Sequence, residues 1–364
     1  YDKVENSLIL CRDRLGIKPL YYKSVGHEVV FGSEPKIILS YSNDNHYINS
    51  ESLSDYFSYR FPLGNKSFYK NIKSLDPGSY IEFNKSGFKK KYYWELPVVA
   101  EEEKVDIGED KILNDVSELL TSSINYRMIS DVPFGAFLSG GLDSSIIVSE
   151  MSKLNKNKIR TYNIGFKEDK FNEFIYATEV SNLFNTNHTQ ILMDENEYFS
   201  SMPEIIKYKD GPLSVPNEIA IHRLSKELKK NISVVLSGEG ADELFGGYGR
   251  IFRSAYDFSR FHKYGVDNLN KDLKKNLLNK YNVNDFNSEI DFFISQYSYI
   301  DFTMKKNLFM SDYSKQFQNN LFNKNFFENE WSNLSNLELH EKFIYFFQKI
   351  HLQGLLGRLD CSTM

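Results

Sequence analysis

Strand-like and helix-like segments alternate along the chain between residues 134 and 236. Four short segments are predicted to be strands: an apolar run at 134–138 and the segments 159–166, 189–193 and 232–236. Apolar residues at helical spacing occupy three segments between them, at 146–154, 171–184 and 219–228. Strands that alternate with helices pair in parallel, because each helix carries the chain back along the sheet before the next strand begins. The sequence therefore predicts an α/β fold with a doubly wound parallel sheet.

The first predicted strand runs directly into a loop of small residues, the string Ser-Gly-Gly-Leu-Asp-Ser-Ser at 139–145. Gly140 and Gly141 let the backbone approach a phosphate closely, and the following helix offers free N–H groups at its positive end. Asp143 would repel a bare polyphosphate, so it suits a Mg²⁺ ion that accompanies the polyphosphate. A glycine turn with a capped helix is the structural alternative, and the complete string favours a phosphate loop over it. The Gly-Lys-Ser/Thr sequence of a Walker loop is absent.

A second glycine-rich loop, Ser-Gly-Glu-Gly-Ala-Asp-Glu at 237–243, follows the last predicted strand. In a parallel sheet such loops leave the carboxyl ends of the strands, which is where α/β folds bind ligands. By itself this acidic loop is compatible with a turn or a calcium site, although its acids do not have EF-hand spacing. The two strings are informative in combination.

Together the two strings resemble the asparagine synthetase family, and the first resembles the PP-loop of the N-type ATP pyrophosphatases. The resemblance implies an adenine nucleotide alpha hydrolase-like domain that uses ATP and Mg²⁺. The residues that would contact ATP are Leu138, Ser139, Gly140, Gly141, Asp143, Ser144, Ile164, Ser237, Gly238, Gly240 and Tyr248. Asp143 and Asp242 would bind Mg²⁺, and Glu239 would be the catalytic residue of the ammonia step. Asp210 and Glu243 are candidates for contacts on the acceptor side.

The implied reaction converts aspartate to asparagine through a β-aspartyl-AMP intermediate, with ammonia from glutamine and with AMP and pyrophosphate as products. The string Lys-Asp-Gly-Pro at 209–212 departs from the family, because Gly211 replaces the glutamate of the family's Asp-Glu-Pro. A related ligase that acts on a sugar or peptide carboxylate, in a surface-polymer or natural-product pathway, therefore stays open, as does a β-lactam synthetase. The alternative from another class is a nucleotide-binding module without turnover. The acids at 143, 239 and 242 argue against that alternative.

The first ninety or so residues are predicted to form short strands separated by turns, at 8–10, 20–22, 29–31 and 80–83. The strings at 12–22 and 31–34 resemble the second half of a class II, Ntn-type glutamine amidotransferase domain. The nucleophile of that family is an amino-terminal cysteine, so we expect it upstream of Tyr1. Cys11 lies in a strand pattern, and we predict that it is a buried structural thiol. Residues 1–364 alone are therefore expected not to hydrolyse glutamine.

An acidic stretch without periodicity, at 97–110, is predicted to link a partial amidotransferase domain at 1–96 to an amide-forming domain at 111–364. Beyond Arg250 the pattern is mostly helical and rich in aromatic residues. The string at 355–364 resembles a segment that precedes a phosphate-holding lysine in the family, so we expect that lysine beyond Met364. Both ends are therefore interpreted as those of a fragment.

The composition argues against several other classes of protein. The net charge of −5 and the pI near 5.9 argue against nucleic-acid binding, which requires a basic patch. The basic run at 89–91 is predicted to be a solvated strand end. Two cysteines favour a reducing compartment, and the sequence has neither an apolar run of about eighteen residues nor a signal peptide. We expect a soluble cytoplasmic protein without membrane or nucleic-acid partners, and a homodimer stays open.

Overall fold

The computed structural model describes residues 1–26, 28–41, 47–167, 172–263, 271–283, 285, 287–309 and 321–363. These residues divide into two compact units. The α/β unit contains Val105–Ala241 and Arg358–Met364, and the composite unit contains Tyr1–Lys104 and Asp242–Gly357. The start of the helix predicted at 171–184 and the final residue, Met364, lie outside the described residues.

The described strands are β1 Leu8–Cys11, β2 Tyr21–Val25, β3 Glu28–Gly32, β4 Lys73–Ser74, β5 Ser79–Asn84, β6 Gly87–Tyr92, β7 Phe134–Phe137, β8 Arg160–Phe166, β9 Asn187–Met193 and β10 Val234–Leu236. The described α-helices are α1 Pro35–Tyr41, α2 Ser50–Tyr59, α3 Glu109–Met128, α4 Leu142–Leu154, α5 Phe174–Leu183, α6 Glu195–Lys209, α7 Asn217–Leu228, α8 Ala241–Phe245, α9 Gly249–Lys263, α10 Lys271–Tyr281, α11 Glu289–Tyr297, α12 Phe302–Leu308, α13 Leu321–Trp331, α14 Leu339–Phe346 and α15 Leu352–Thr363. A π-helical turn, Phe347–His351, joins α14 to α15. No described helix combines the length and the apolar character that a membrane crossing requires.

The α/β unit is built on a four-stranded sheet in the order β10-β7-β8-β9, and every pair in it is parallel. Apolar clusters cover both faces. On one face Ala136 of β7 packs with residues of α3, α4 and α5, and on the other Tyr162 of β8 packs with Leu224 of α7. A parallel sheet needs this double cover because its strands are apolar on both faces. The predicted doubly wound α/β fold is confirmed.

Helix α6 was not predicted, although its start is marked in the sequence. The Asp194 carboxylate accepts a hydrogen bond from the Glu197 N–H and so caps the helix. The helix contains Pro203, and only Ile205 is fully buried along its length. Because so little of it is buried, α6 lacks the apolar periodicity that revealed its neighbours.

The amino-terminal part of the composite unit forms two antiparallel sheets, β1-β5-β6 and β3-β2-β4. The four predicted strands are confirmed as β1, β2, β3 and β5. The prediction for Cys11 is wrong, because the thiol is exposed rather than buried. Cys11 is the last residue of β1, which pairs on one side with β5 and is an edge strand among the described residues.

The carboxy-terminal part of the composite unit is helical, as predicted, and its core is largely aromatic. The ring centroids of Phe293 and Phe343 are 4.8 Å apart, and those of Phe293 and Phe346 are 5.0 Å apart. Tyr59, at the end of α2, stacks on Tyr297 at 5.3 Å and belongs to the same cluster. Each such pair adds about 0.5–1.5 kcal/mol beyond the area it buries. Many of the aromatic residues of the sequence therefore pack in this core.

A buried ionic group lies beside α2 in the composite unit. Asp55 is fully buried, and its Oδ2 atom accepts from the Leu63 N–H at 3.0 Å and pairs with Lys66 Nζ at 2.5 Å. Lys305 is 1% exposed and donates to Ser54 Oγ at 3.0 Å. Burial lowers the pKa of Lys305 to about 8, although the charge of Asp55 acts in the opposite direction.

Candidate active site

The loop between β7 and α4 (residues 138–145, the first loop) is shaped by its own polar groups. The Leu138 N–H donates to the Tyr162 carbonyl at 2.9 Å and extends the pairing of β7 with β8 by one residue. Ser139 Oγ accepts from the Gly141 N–H at 3.2 Å and lies 3.0 Å from Ser144 Oγ. These hydroxyl groups fix the loop where the strand becomes the helix.

Glycine is required at one position of the first loop and leaves the helix start open at the next. Gly140 has a φ of +85°, and a Cβ there would lie 2.5 Å from the backbone of Tyr176 and Ala177 in α5. Gly141 precedes α4 and has no side chain with which to cap it. The first N–H groups of a helix have no partners within the helix, so they are suited to an anion. The first loop therefore has the geometry of a phosphate-binding loop.

The loop after β10 (residues 237–240, the second loop) packs directly against the first. A Cβ on Gly238 would lie 2.7 Å from Asp143 Cβ and 3.1 Å from the Ser144 nitrogen. The Glu239 N–H donates to Ser237 Oγ at 3.4 Å, and Gly240 has a φ of +99°. Since β10 and β7 are parallel neighbours, both loops leave the same edge of the sheet. The structure therefore brings together the two strings that sequence analysis singled out.

Ile164 lies on β8 at the same edge. Phe137, the last residue of β7, pairs with Tyr162, so Ile164 is two residues beyond the end of β7 and lies alongside the first loop. Its side chain is partly buried and packs against the apolar clusters that contain Leu224 and Ile219. Its predicted contact with the adenine ring stays a prediction, and its position beside the loop is compatible with it.

Glu239 has a partner that sequence analysis did not identify. Arg358 of α15, a residue of the same unit, donates from Nη2 to Glu239 Oε1. The Arg358 side chain is 9% exposed and that of Glu239 is 28% exposed. The two residues are 119 positions apart, so no local pattern could have linked them.

Asp210 lies where α6 ends, with a left-handed backbone φ of 53°. The loop that follows is held by Glu218 of α7, which is fully buried. Glu218 Oε1 accepts from the N–H groups of Ser214 at 2.8 Å and Val215 at 3.1 Å, and Lys209 Nζ lies 2.9 Å from Oε2. Burial lowers the pKa of Lys209, against the effect of the Glu218 carboxylate. The Lys209–Glu218 pair was also missed, because neither residue belongs to a recognised string.

Three predicted site residues belong to the composite unit: Asp242, Glu243 and Tyr248. Glu243 is fully buried, and its Oε1 atom accepts from the Tyr248 hydroxyl at 2.5 Å. Asp242 lies against Gly247, where a Cβ would be 1.8 Å from Asp242 Oδ1. That these three residues act together with the predicted site residues of the α/β unit stays a prediction.

Mg²⁺ prefers oxygen ligands and is commonly held by one or two carboxylates together with substrate phosphates. Asp143 and Asp242 each lie in the first turn of a helix that follows a glycine-rich loop, and both supply oxygen ligands. Each carboxylate is the kind of ligand that Mg²⁺ takes when it is bound with a polyphosphate, and the sharing of one ion by the two residues stays a prediction. Within the described ranges, no group of three or more His, Cys, Asp or Glu residues could hold a metal without such a ligand.

A separate cavity of about 490 Å³ lies in the composite unit. Its lining includes Arg14, Lys66, Trp94 and Lys349. None of the residues predicted to contact ATP, metal or acceptor lines it.

Comparison with known proteins gives a consistent result. A family model described as asparagine synthase matches residues 115–363, and one described as glutamine amidotransferase domain matches residues 1–94. Asparagine synthetase [glutamine-hydrolyzing] 1 of Bacillus subtilis is 35% identical over 279 residues, which cover 76% of this chain and 42% of that protein. Asparagine synthetase [glutamine-hydrolyzing] 3 of the same organism is 32% identical over 265 residues, which cover 68% of this chain and 42% of that protein.

A more distant relative, amidase chry2 of Gibberella zeae, is 28% identical over 264 residues, which cover 68% of this chain and 39% of that protein. The chain thus spans less than half the length of these curated relatives. The asparagine synthase model covers well over half of the chain, and the residues it matches include both loops. The chain belongs to the asparagine synthase family.

Proposed function

We propose that this chain forms an amide from a carboxylate and ammonia with the use of ATP, and that the carboxylate is the side chain of aspartate. The contact between the two glycine-rich loops carries the proposal, since Gly238 lies against Asp143 and Ser144. ATP would bind across both loops, with its phosphates at the uncapped start of α4. Family membership supports ATP use, and the names of the relatives support aspartate as the acceptor.

The first step activates the carboxylate. One carboxylate oxygen attacks the α-phosphorus of ATP, the bond between that phosphorus and the bridging oxygen breaks, and pyrophosphate leaves. The N–H groups at the start of α4 and the hydroxyls of Ser139 and Ser144 would hold phosphate oxygens. Mg²⁺, held by Asp143 and Asp242, would neutralise charge on the phosphates. The protein contributes position and fixed dipoles to this step, and no covalent intermediate on a side chain is needed.

The second step forms the amide. The ammonia nitrogen bonds to the acyl carbon, the bond from that carbon to the AMP oxygen breaks, and AMP leaves with the electron pair. The attacking nitrogen must also lose one proton, and Glu239 would accept it as a general base. Its carboxylate lies on the second loop and is partly accessible, which suits this role.

Glutamine is the proposed source of the ammonia. The match of residues 1–94 to the glutamine amidotransferase model supports this source. Cys11 is not proposed as the nucleophile, because it ends an edge strand and has no helix start beside it to stabilise a thiolate.

The residue at position 211 favours a second class of carboxylate acceptor. Gly211 stands where the family has a glutamate, so the loop after Asp210 would offer the acceptor one carboxylate fewer. A sugar or peptide carboxylate is therefore the second candidate. The loop itself is well fixed, because Glu218 binds its backbone.

Pyrophosphate release tests these proposals in the full-length protein that contains this chain. Release with aspartate supports asparagine synthesis, and release only with a sugar or peptide acid supports the second candidate. A protein that binds ATP but releases no pyrophosphate with any acid would contradict the amide-ligase proposal and favour a binding module. Asp115→Asn is a matched control for Asp143→Asn, because Asp115 is on the exposed face of α3 and pairs with Lys111.

A further inference from the structure

Arg358 is an unusual residue for the interior of the α/β unit. Arginine is rarely buried unless it is fully paired, because its charge is costly to remove from water. Here the whole residue is 8% exposed, and a single carboxylate, Glu239, is its ion-pair partner among the described side chains. The pair connects the second loop to the helix that ends the described chain.

The hydrogen bonds of Arg358 are incomplete. Its Nε atom is buried and has no hydrogen-bond partner among the described residues. Lys209, a second cation of the same unit, is close enough for the Arg358 charge to contribute to lowering its pKa. Two buried cations near one another disfavour each other, so a pairing with Glu239 offsets part of that cost. Packing alone would be served as well by an apolar side chain at this position.

The pairing also fixes where the Glu239 carboxylate can lie. Glu239 stands between Gly238 and Gly240, which have no side chains that could hold its carboxylate in place. On its own loop the Glu239 N–H donates to Ser237 Oγ over a long distance, 3.4 Å. A planar guanidinium on a helix is a more rigid support than a lysine ammonium would be.

We propose that Arg358 is a positioning residue for the ammonia step, which holds the Glu239 carboxylate where it accepts the proton of the attacking nitrogen. The inference rests on the proposed function, because it assigns Glu239 to that step. Arg358 touches Glu239 and needs no contact with ATP. Its loss should therefore impair amide formation and leave carboxylate activation intact.

The first experiment separates the two steps in the full-length protein. Acceptor-dependent exchange of pyrophosphate into ATP reports activation, and amide formation with ammonium chloride reports the second step. Arg358→Met should lower kcat for amide formation by roughly a hundredfold, as a misplacement of about 1 Å does. Exchange and the KM for ATP should stay within about twofold of the original. Arg358→Lys should recover part of the loss, because it keeps the charge without the planar fork.

Arg223→Met is the matched control. Arg223 pairs with Glu197 at 2.5 Å and with Glu227 at 3.3 Å in the same unit, and it belongs to α7 rather than to either loop. It should leave both assays unchanged. Equal losses of exchange and amide formation in Arg358→Met would show a structural role and overturn the proposal. Absence of exchange in the original protein with every acid would instead contradict the proposed function.

A second measurement tests the pair without any activity. A double-mutant cycle on the midpoint of urea unfolding, with Arg358→Met, Glu239→Gln and both together, should show that the two changes are not additive. Additive changes would mean that Arg358 does not hold Glu239, and would overturn the proposal whatever the assays give. In the amide assay, Arg358→Met should add little to the loss caused by Glu239→Gln alone.

Discussion

The contact between the two loops makes Gly238 the most informative single position to change. A Cβ at Gly238 would lie 2.7 Å from Asp143 Cβ, whereas ordinary contacts begin at 3.4 Å. The atoms in the way are the first carbon of a side chain and the backbone of Asp143 and Ser144, so rotation of a flexible side chain cannot relieve the clash. In Gly238→Ala the loops must therefore separate by about 0.7 Å, the difference between these distances.

Because of this displacement, we expect Gly238→Ala to lose much of its pyrophosphate-release activity and only a modest part of its stability. Misplacement by about 1 Å can lower a rate by about a hundredfold, so 0.7 Å should cost roughly ten- to a hundredfold in acceptor-dependent pyrophosphate release. Overpacking by one methyl group typically costs about 1–3 kcal/mol of unfolding free energy. Gly249→Ala is the matched control, because a Cβ there meets no atom within 4 Å.

Pyrophosphate release and the KM for ATP, measured at a temperature where both variants are folded, check this prediction. The predicted pattern is a raised KM for ATP and a lowered kcat in Gly238→Ala, with neither change in Gly249→Ala. If Gly238→Ala kept full activity while it lost stability, the close contact would matter for packing alone. The assignment of the two loops to one ATP site would then be refuted.

Three further predictions concern single side chains. Asp143→Asn should lower ATP- and Mg²⁺-dependent turnover by orders of magnitude with little change in the circular dichroism spectrum, and unchanged pyrophosphate release would contradict the metal assignment. Glu239→Gln should lose amide formation more severely than ATP affinity, measured by calorimetry beside the amide assay, and equal losses would count against a role in the ammonia step. Because burial lowers the pKa of Lys305 to about 8, below the ordinary lysine value of 10.5, the folded state binds this proton less tightly than the unfolded state. The destabilisation by its charge is therefore complete below pH 8 and is relieved as the pH rises toward 10.5, so this group's contribution to stability should increase over that range. Lys305→Met should remove that contribution in urea unfolding, and an unaltered pH dependence would show that Lys305 is not strained by burial.

The parallel sheet could be predicted from the sequence because its signals are local. Each strand from β7 to β10 contains apolar residues within a short segment, and each of the two loops follows its strand without a gap. Gly140 illustrates the strength of such a signal, since its positive φ and its close approach to Tyr176 exclude other residues. Physical requirements that act within a few residues leave a readable pattern.

The features that could not be predicted depend either on contacts between residues that are distant in sequence or on which residues become buried when the chain folds. Arg358 and Glu239 meet only after the chain has folded, and no spacing rule reaches across 119 positions. The helices α1 and α2 were missed among strands, although Asn49 caps α2 by accepting from Glu51 and Ser52. Cys11 was predicted to be buried because strand residues often are, but the apolar pattern does not reveal which strand forms an edge.

The aromatic core of the composite unit gives the protein a built-in optical probe. Both tryptophans of the sequence, Trp94 and Trp331, belong to that unit, and Trp331 stacks on Phe346 at 5.3 Å. Residues 105–241 contain no tryptophan. Tryptophan fluorescence, excited selectively at the red edge of the absorption band, therefore reports the unfolding of the composite unit and not that of the α/β unit. ATP that binds the α/β unit should raise the stability of that unit by mass action. A shift of the tryptophan transition on addition of ATP would therefore measure how strongly the unfolding of the two units is coupled.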